Sequence, residues 1–239
     1  KVSAFLKKEE KDLLESEIEP SVGIGLYFPH FYTELVSSQL LKKTKLNTGE
    51  IDLNIDPRYL REEILFNGLL RALQTANIDY SIEDLQKANL DTLLSYKQLW
   101  VCSTDFMNKD TQERLALYVK NGGNLIIYPL LPTLDTYLNK ERFLMDELGI
   151  QFELRENQGF IKAFHIDEIY STSSKIMVFP KTRLWDPIAF TETGETTGIS
   201  VKHGQGRAII LGFAFSYTTD EHEELYNTIL KLNDIQPPL

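Results

Sequence analysis

Short apolar runs and stretches of helical period alternate along this chain, and each predicts an element. Phe5, Leu6, Leu13 and Leu14 form a narrow stripe on a charged helix over 5–16, read as a lead-in segment within residues 1–20. The run Val22-Gly23-Ile24-Gly25-Leu26-Tyr27-Phe28, stopped by Pro29, predicts a strand buried on both faces. Residues 30–55 lose this patterning, and about 39–55 read as a polar loop or short insertion. Asp56-Pro57, a cap followed by proline in the first turn, starts a helix with Leu60, Ile64, Leu65, Leu69, Leu73 and Ala76 inward. Strands over 79–82 and 99–102 flank a leucine-rich stretch, and a helix over 108–121 is closed by Gly122-Gly123. A strand over 124–128 ends at Pro129. This rhythm implies parallel strands with helical crossovers.

The second half changes character. A helix is expected over 134–148, but 151–185 is rich in β-branched and aromatic residues with little helical period. Within it, 159–185 reads as a β-rich insertion. Two late strands, over 186–201 and 206–213, are joined through Lys202-His203-Gly204-Gln205-Gly206-Arg207, and a last helix covers 219–232. The tail 236–239, with Pro237-Pro238, resembles the start of a linker. The expected class is α/β: a mainly parallel sheet with helices on both faces, forming one domain over 21–235.

Composition narrows the function. At 239 residues, with 42% hydrophobic and 25% charged residues, the chain can bury a core of its own. A net charge of -10 and the absence of a basic stripe argue against a nucleic-acid partner. The one short basic cluster, Lys42-Lys43-Thr44-Lys45, reads as a solvated loop face. No apolar run is long enough to span a bilayer, so no membrane partner is expected and the location is read as cytoplasmic. The chain opens on Lys1 rather than methionine, a hint that it was cut from something longer.

Few residues volunteer for chemistry. Gly23-x-Gly25 lies inside an apolar run with no third glycine opening a helix, so close packing explains it better than a dinucleotide site. Gly204-x-Gly206 precedes a strand and reads as a hairpin turn. Histidines 30, 165, 203 and 222 show no metal-ligand spacing, and Cys102, the sole cysteine, ends a buried strand. His222 falls among Glu221, Glu223 and Glu224, an acidic first turn that complements the helix dipole. No catalytic residue, cofactor or metal is nominated. Tyr27, His30, Phe31 and Trp185 lie near strand ends or in loops, where rings can stack on the apolar face of a sugar.

The segments Leu69-Leu70-Arg71-Ala72-Leu73-Gln74-Thr75-Ala76-Asn77-Ile78-Asp79-Tyr80, Tyr96-Lys97-Gln98-Leu99-Trp100-Val101 and Leu115-x-x-Tyr118-Val119-x-x-Gly122-Gly123-x-Leu125-Ile126 follow in order. With Gly204-Gln205-Gly206-Arg207-Ala208-Ile209-Ile210-Leu211-Gly212, they are similar to the middle domain of β-galactosidases of glycoside hydrolase family 42; family 35 and related enzymes carry a similar module. The resemblance implies a flavodoxin-like, class I glutamine-amidotransferase-like domain that follows a catalytic (β/α)₈ barrel and often mediates trimer formation. Where true amidotransferases carry a nucleophile elbow and a histidine, this chain has Tyr128-Pro129-Leu130-Leu131 and Phe213-Ala214-Phe215-Ser216. The expected role is therefore a non-catalytic assembly domain, a homo-oligomer by resemblance, with carbohydrate handled elsewhere in the parent enzyme. Two alternatives stand beside it: a free-standing hydrolase using Cys102 or Ser103 with a nearby histidine, and a module that binds carbohydrate or protein.

Overall fold

The structure, a computed structural model, describes residues 20–27, 62–137, 139–232 and 235. The lead-in helix, the loop and insertion over 30–55, the Asp56-Pro57 cap and the 236–239 tail lie outside the described residues, as do Leu60 and the Ile64 side chain.

Eleven strands and five helices are described: β1 (Val22–Leu26), α1 (Glu62–Thr75), β2 (Tyr80–Asp84), α2 (Leu90–Leu94), β3 (Gln98–Ser103), α3 (Lys109–Lys120), β4 (Asn124–Pro129), α4 (Phe143–Glu147), β5 (Glu153–Glu156), β6 (Ile161–Ala163), β7 (Ile166–Ile169), β8 (Lys175–Val178), β9 (Asp186–Thr191), β10 (Thr196–His203), β11 (Gly206–Leu211) and α5 (Asp220–Lys231). Nine strands form one sheet in the order β2-β1-β3-β4-β11-β10-β9-β6-β7. From β2 to β11 every pairing is parallel, and from β11 to β7 every pairing is antiparallel. The parallel part has the strand order of flavodoxin-like folds, with β11 as its fifth strand. The sheet is thus mixed rather than mainly parallel.

The parallel strands read as unbroken apolar runs because successive side chains enter opposite cores. On β3, Trp100 and Cys102 join Leu65, Leu69 and Leu73 of α1 and Leu225, Tyr226 and Ile229 of α5. Leu99 and Val101 join Leu93 of α2, Leu115, Tyr118 and Val119 of α3, and Leu144 of α4 on the other face. Buried Gln98 ties the first core together: its Nε2 donates to the Ile229 and Leu230 carbonyls at 3.0 and 3.2 Å, and Trp100 Nε1 donates to its Oε1 at 2.9 Å.

The two glycine motifs of the sequence meet in space. Gly122, at φ +108°, closes α3 in the left-handed region, and Gly123 lies under the Tyr118 ring so closely that any side chain there would overlap it. Gly206 opens β11 against the Val119 and Gly123 carbonyls, while Arg207 N donates to the Gly123 carbonyl at 3.1 Å. Gly204-x-Gly206 is the turn of the β10–β11 hairpin. Gly23 and Gly25 serve packing: a Cβ at 23 would come 2.5 Å from the Tyr96 ring, and one at 25 would come 2.7 Å from Leu85.

Two expected elements differ. The helix over 134–148 shrinks to Phe143–Glu147. Asp135 Oδ1 accepts from the Tyr137 and Asn139 amides at 2.8 and 2.9 Å, an Asx turn that competes with helical backbone bonds. Leu134 and Lys140 form a bridge across that turn. The strand expected over 186–201 is folded into a hairpin, β9 and β10, whose turn places Gly194 at φ +81°. Within the β-rich stretch, β6 and β7 extend the main sheet through β9, whereas β8 pairs with β5 in a two-stranded sheet. Among the described residues, no helix is long and apolar enough to cross a membrane.

Candidate functional site

In open α/β sheets, ligands bind outside the carboxyl ends of the strands, where the strand order reverses. Here that point lies between β1 and β3, and the residues that reach it are Tyr27, Ser103, Thr104, Asp105 and Asn108. Each is engaged within the chain. Tyr27 is 3% exposed, and its hydroxyl accepts from the Asn108 amide at 2.9 Å. The Ser103 hydroxyl donates to the Thr104 carbonyl at 3.2 Å. Asp105 accepts from the Thr133 hydroxyl, and its carbonyl accepts from the Thr133 and Leu134 amides at 3.0 Å each. Asn108 does not cap α3 with its side chain; its Oδ1 accepts from the Thr136 hydroxyl at 2.8 Å. The loops after β3 and β4 are thereby stitched to one another across the edge.

The stretch that would form a nucleophile elbow is core. Tyr128, Leu130 and Leu131 are at most 1% exposed. Tyr128 stacks on Phe215 at 4.5 Å between ring centroids, and its hydroxyl lies 3.2 Å from that of Tyr226. Burial holds both phenols far above their ordinary range, so they are neutral hydrogen-bonding groups. Cys102 Sγ donates to the Tyr128 hydroxyl at 3.4 Å from within this cluster. His222 turns into the same edge farther along, a placement the sequence reading missed by treating it as part of an acidic helix turn. Its ring is 1% exposed, with Nε2 2.7 Å from the Tyr170 carbonyl and Nδ1 against the Ser216 carbonyl and, at 3.1 Å, the Thr218 hydroxyl. Among the described residues, neither Cys102 nor Ser103 bonds to a histidine: Cys102 donates to Tyr128, Ser103 to the Thr104 carbonyl, and His222 meets Tyr170, Ser216 and Thr218.

Of the four residues singled out for sugar stacking, the two that are described, Tyr27 and Trp185, are buried. Trp185 is 7% exposed and packs edge-on to Phe179 at 6.5 Å in the second core, and Tyr27 belongs to that same core. Neither ring offers a face to a sugar. His30 and Phe31 lie outside the described residues. Among the described residues, the larger cavities lie elsewhere: a groove of about 610 Å³ along α5, lined by His165, Glu223, Glu224, Asn227 and Lys231, a hollow of about 570 Å³ beside Gly122-Gly123, lined by Tyr96, Lys97 and Asn124, and a cleft of about 500 Å³ between the β5–β8 pair and the β9–β10 turn. Arg155, paired with Glu153 at 2.9 Å and with Glu195, lines the cleft. Among the described residues, no cluster of three His, Cys, Asp or Glu is placed to hold a metal ion.

A family model described as the second domain of GLMA-like proteins matches residues 49–183. The chain belongs to this family. It is 49% identical over its whole length to a β-1,2-glucosyltransferase of Ignavibacterium album, of which it covers 33%. It is 34% identical over 94% of its length to an exo-β-D-glucosaminidase of Thermococcus kodakarensis, of which it covers 27%. This GLMA-like domain therefore spans about a third of the length of the curated relatives it matches. Its fold is shared with a catalytic mutant of Gan42B, a GH42 β-galactosidase from G. stearothermophilus, at TM-score 0.68 and 14% identity over 97% of this chain and 32% of that one. A β-galactosidase from Marinomonas ef1 gives TM-score 0.67 at 13% identity over 98% of this chain and 33% of that one. The flavodoxin-like class expected from the sequence holds.

Proposed function

We propose that this GLMA-like domain is a non-catalytic assembly and support module of a longer carbohydrate-active protein, whose reaction is carried out by a part outside the chain. The observation that carries this reading is that, among the described residues, the polar groups at the carboxyl edge of the parallel strands are taken up within the fold. The polar groups that could act there, from Tyr27 to Asn108 and at His222, already bond to the loops around them. An active site needs such groups aimed at a space a substrate can enter. The fraction of each relative that the domain covers supports the same division of labour. A fold of this kind is compatible with many functions, so the site rather than the fold decides.

The 49% identity to a β-1,2-glucosyltransferase favours a parent that works on β-linked glucosyl units over the β-galactosidase expected from the sequence. The domain's own part is contact between copies, with the trimer as the expected state. The test sets the isolated chain beside its full-length parent, both assayed with aryl β-glucoside, β-galactoside and β-glucosaminide and with β-1,2-linked glucan. Turnover by the parent and none by the chain is expected. Turnover by the isolated chain overturns the reading, and light scattering that finds the full-length protein monomeric overturns the assembly role.

A further inference from the structure

The cleft of about 500 Å³ between the β5–β8 pair and the β9–β10 turn has a size typical of small-ligand sites. Its walls follow from the local sequence. Side chains alternate along a strand, so Glu153 and Arg155 share one side of β5, and Val178 stands opposite Glu153 on β8. Phe152, just before β5, lines the same space; it is partly buried and packs edge-on to Phe179 at 6.3 Å between ring centroids. Phe179 in turn rests on Trp185 at 6.5 Å, so the buried tryptophan supports the floor of the cleft from beneath. The far wall is the β9–β10 turn. It is fixed by the Thr191 amide donating to the Glu195 carbonyl at 2.9 Å and the Glu195 amide donating to the Thr191 hydroxyl at 3.1 Å, with Gly194 at φ +81° between them. Arg155 spans the cleft, with one guanidinium nitrogen on Glu153 at 2.9 Å and the other on Glu195.

The charges of this cleft cancel. Arg155 and Lys181 line it together with Glu153 and Glu195, so neither an anion nor a cation gains a net attraction on entering. A neutral ligand with many hydroxyls meets a different surface. The two carboxylates accept from hydroxyl protons, the guanidinium and the Lys181 ammonium donate, and the Gln151 amide does both. Among the described residues, the side chains of Gln151 and Lys181 have no hydrogen-bond partner of their own. The Phe152 ring, beside Val178 and Pro180, supplies apolar surface on which the C–H face of a sugar can lie. We propose that this cleft binds a neutral oligosaccharide of β-linked glucosyl units, with Phe152 under a sugar ring and Gln151, Arg155 and Glu195 on its hydroxyls. The proposal rests on the reading that the parent protein works on such units, and deepens it: the domain holds a stretch of glycan away from the reacting bond.

Titration of the intact chain with a β-1,2-linked glucose trisaccharide and with a β-linked glucosamine trisaccharide, followed by amide NMR shifts, tests this. With the glucose trisaccharide, saturable shifts are expected at residues 151–155, 178–181 and 193–196, and the cationic trisaccharide should bind no more tightly. Phe152→Leu keeps an apolar side chain but removes the flat ring, and should weaken binding about tenfold. No saturable shift up to about 20 mM, where any Kd of a few millimolar would show, overturns the site. Shifts confined to other residues, tighter binding of the glucosamine trisaccharide, or undiminished affinity in Phe152→Leu overturn it as well. Should Phe152→Leu not fold, Gln151→Ala and Arg155→Gln, both at exposed positions, decide: weaker binding supports the site, and undiminished affinity in both overturns it. This failure is separate from that of the assembly reading. A parent that turns over β-glucosides while the isolated chain binds no glucan sinks the cleft alone, whereas turnover by the isolated chain sinks the non-catalytic reading alone.

Discussion

The parallel half of the sheet and its antiparallel extension use the same hydrogen-bond ladder but are held in place differently. In the parallel half, β3 and β4 are buried along nearly their whole length, with α1 and α5 on one face and α2, α3 and α4 on the other. In the extension, β6 and β7 bury only Ile161, Ala163, Ile166 and Ile169, toward the core shared with α5, while Lys162, Asp167 and Glu168 are exposed. Phe190 is 36% exposed on β9, paired with Lys162. A strand buried on both faces is fixed by the hydrophobic effect acting from two sides. One buried on a single face depends more on specific ties, such as those of His222 to the Tyr170 carbonyl and of the Thr172 amide to the Ala214 carbonyl.

That difference orders the expected effects of substitution. Trp100→Ala empties a fully buried ring site beside Tyr128 and Tyr226 and should cost about 3–5 kcal/mol of unfolding free energy. Gln98→Leu leaves the Trp100 indole N–H without its acceptor and takes from the Ile229 and Leu230 carbonyls one of the two donors each has, for about 2 kcal/mol. Ile169→Val, on the single buried face of β7, should cost about 1 kcal/mol. Phe190→Ser, on the open face, should stay within about 0.5 kcal/mol. Urea denaturation followed by circular dichroism ranks all four. A loss for Ile169→Val as large as that for Trp100→Ala would break the distinction between the halves.

The same contrast explains what could be read from the residues. Continuous apolar runs such as Leu99–Cys102 and Leu125–Tyr128, and the helical period before Gly122-Gly123 and after Thr219, specify their elements locally, so the parallel strands, α3 and α5 were legible. The Gly122-Gly123 and Gly204-x-Gly206 motifs were legible as turns, but their contact with each other depends on the long-range pairing of β4 with β11. The helix expected over 134–148 failed because the Asp135 side chain captures two amides, a local competition that helical periodicity does not register. Direction in the second half was half hidden: the hairpin turn at Gly204 was read and makes β10 and β11 antiparallel, but the turn at Gly194, which folds the strand expected over 186–201 into antiparallel β9 and β10, was not. At the strand ends, Tyr27 and Trp185 were legible as aromatic residues but not as buried ones, and the partners of His222 come from Tyr170 and Ser216, distant or unremarkable in sequence.

The central claim is that the carboxyl edge of the parallel strands supports the fold and performs no chemistry. Its most direct test is the turnover number of the full-length parent carrying, one at a time, Cys102→Ala, Ser103→Ala, Asp105→Asn and His222→Gln, each checked for folding by circular dichroism. The account expects every kcat to stay within about twofold of the wild type, because none of these groups touches a transition state. A fall of about a hundredfold or more in any well-folded variant would contradict it and place a catalytic group on this edge.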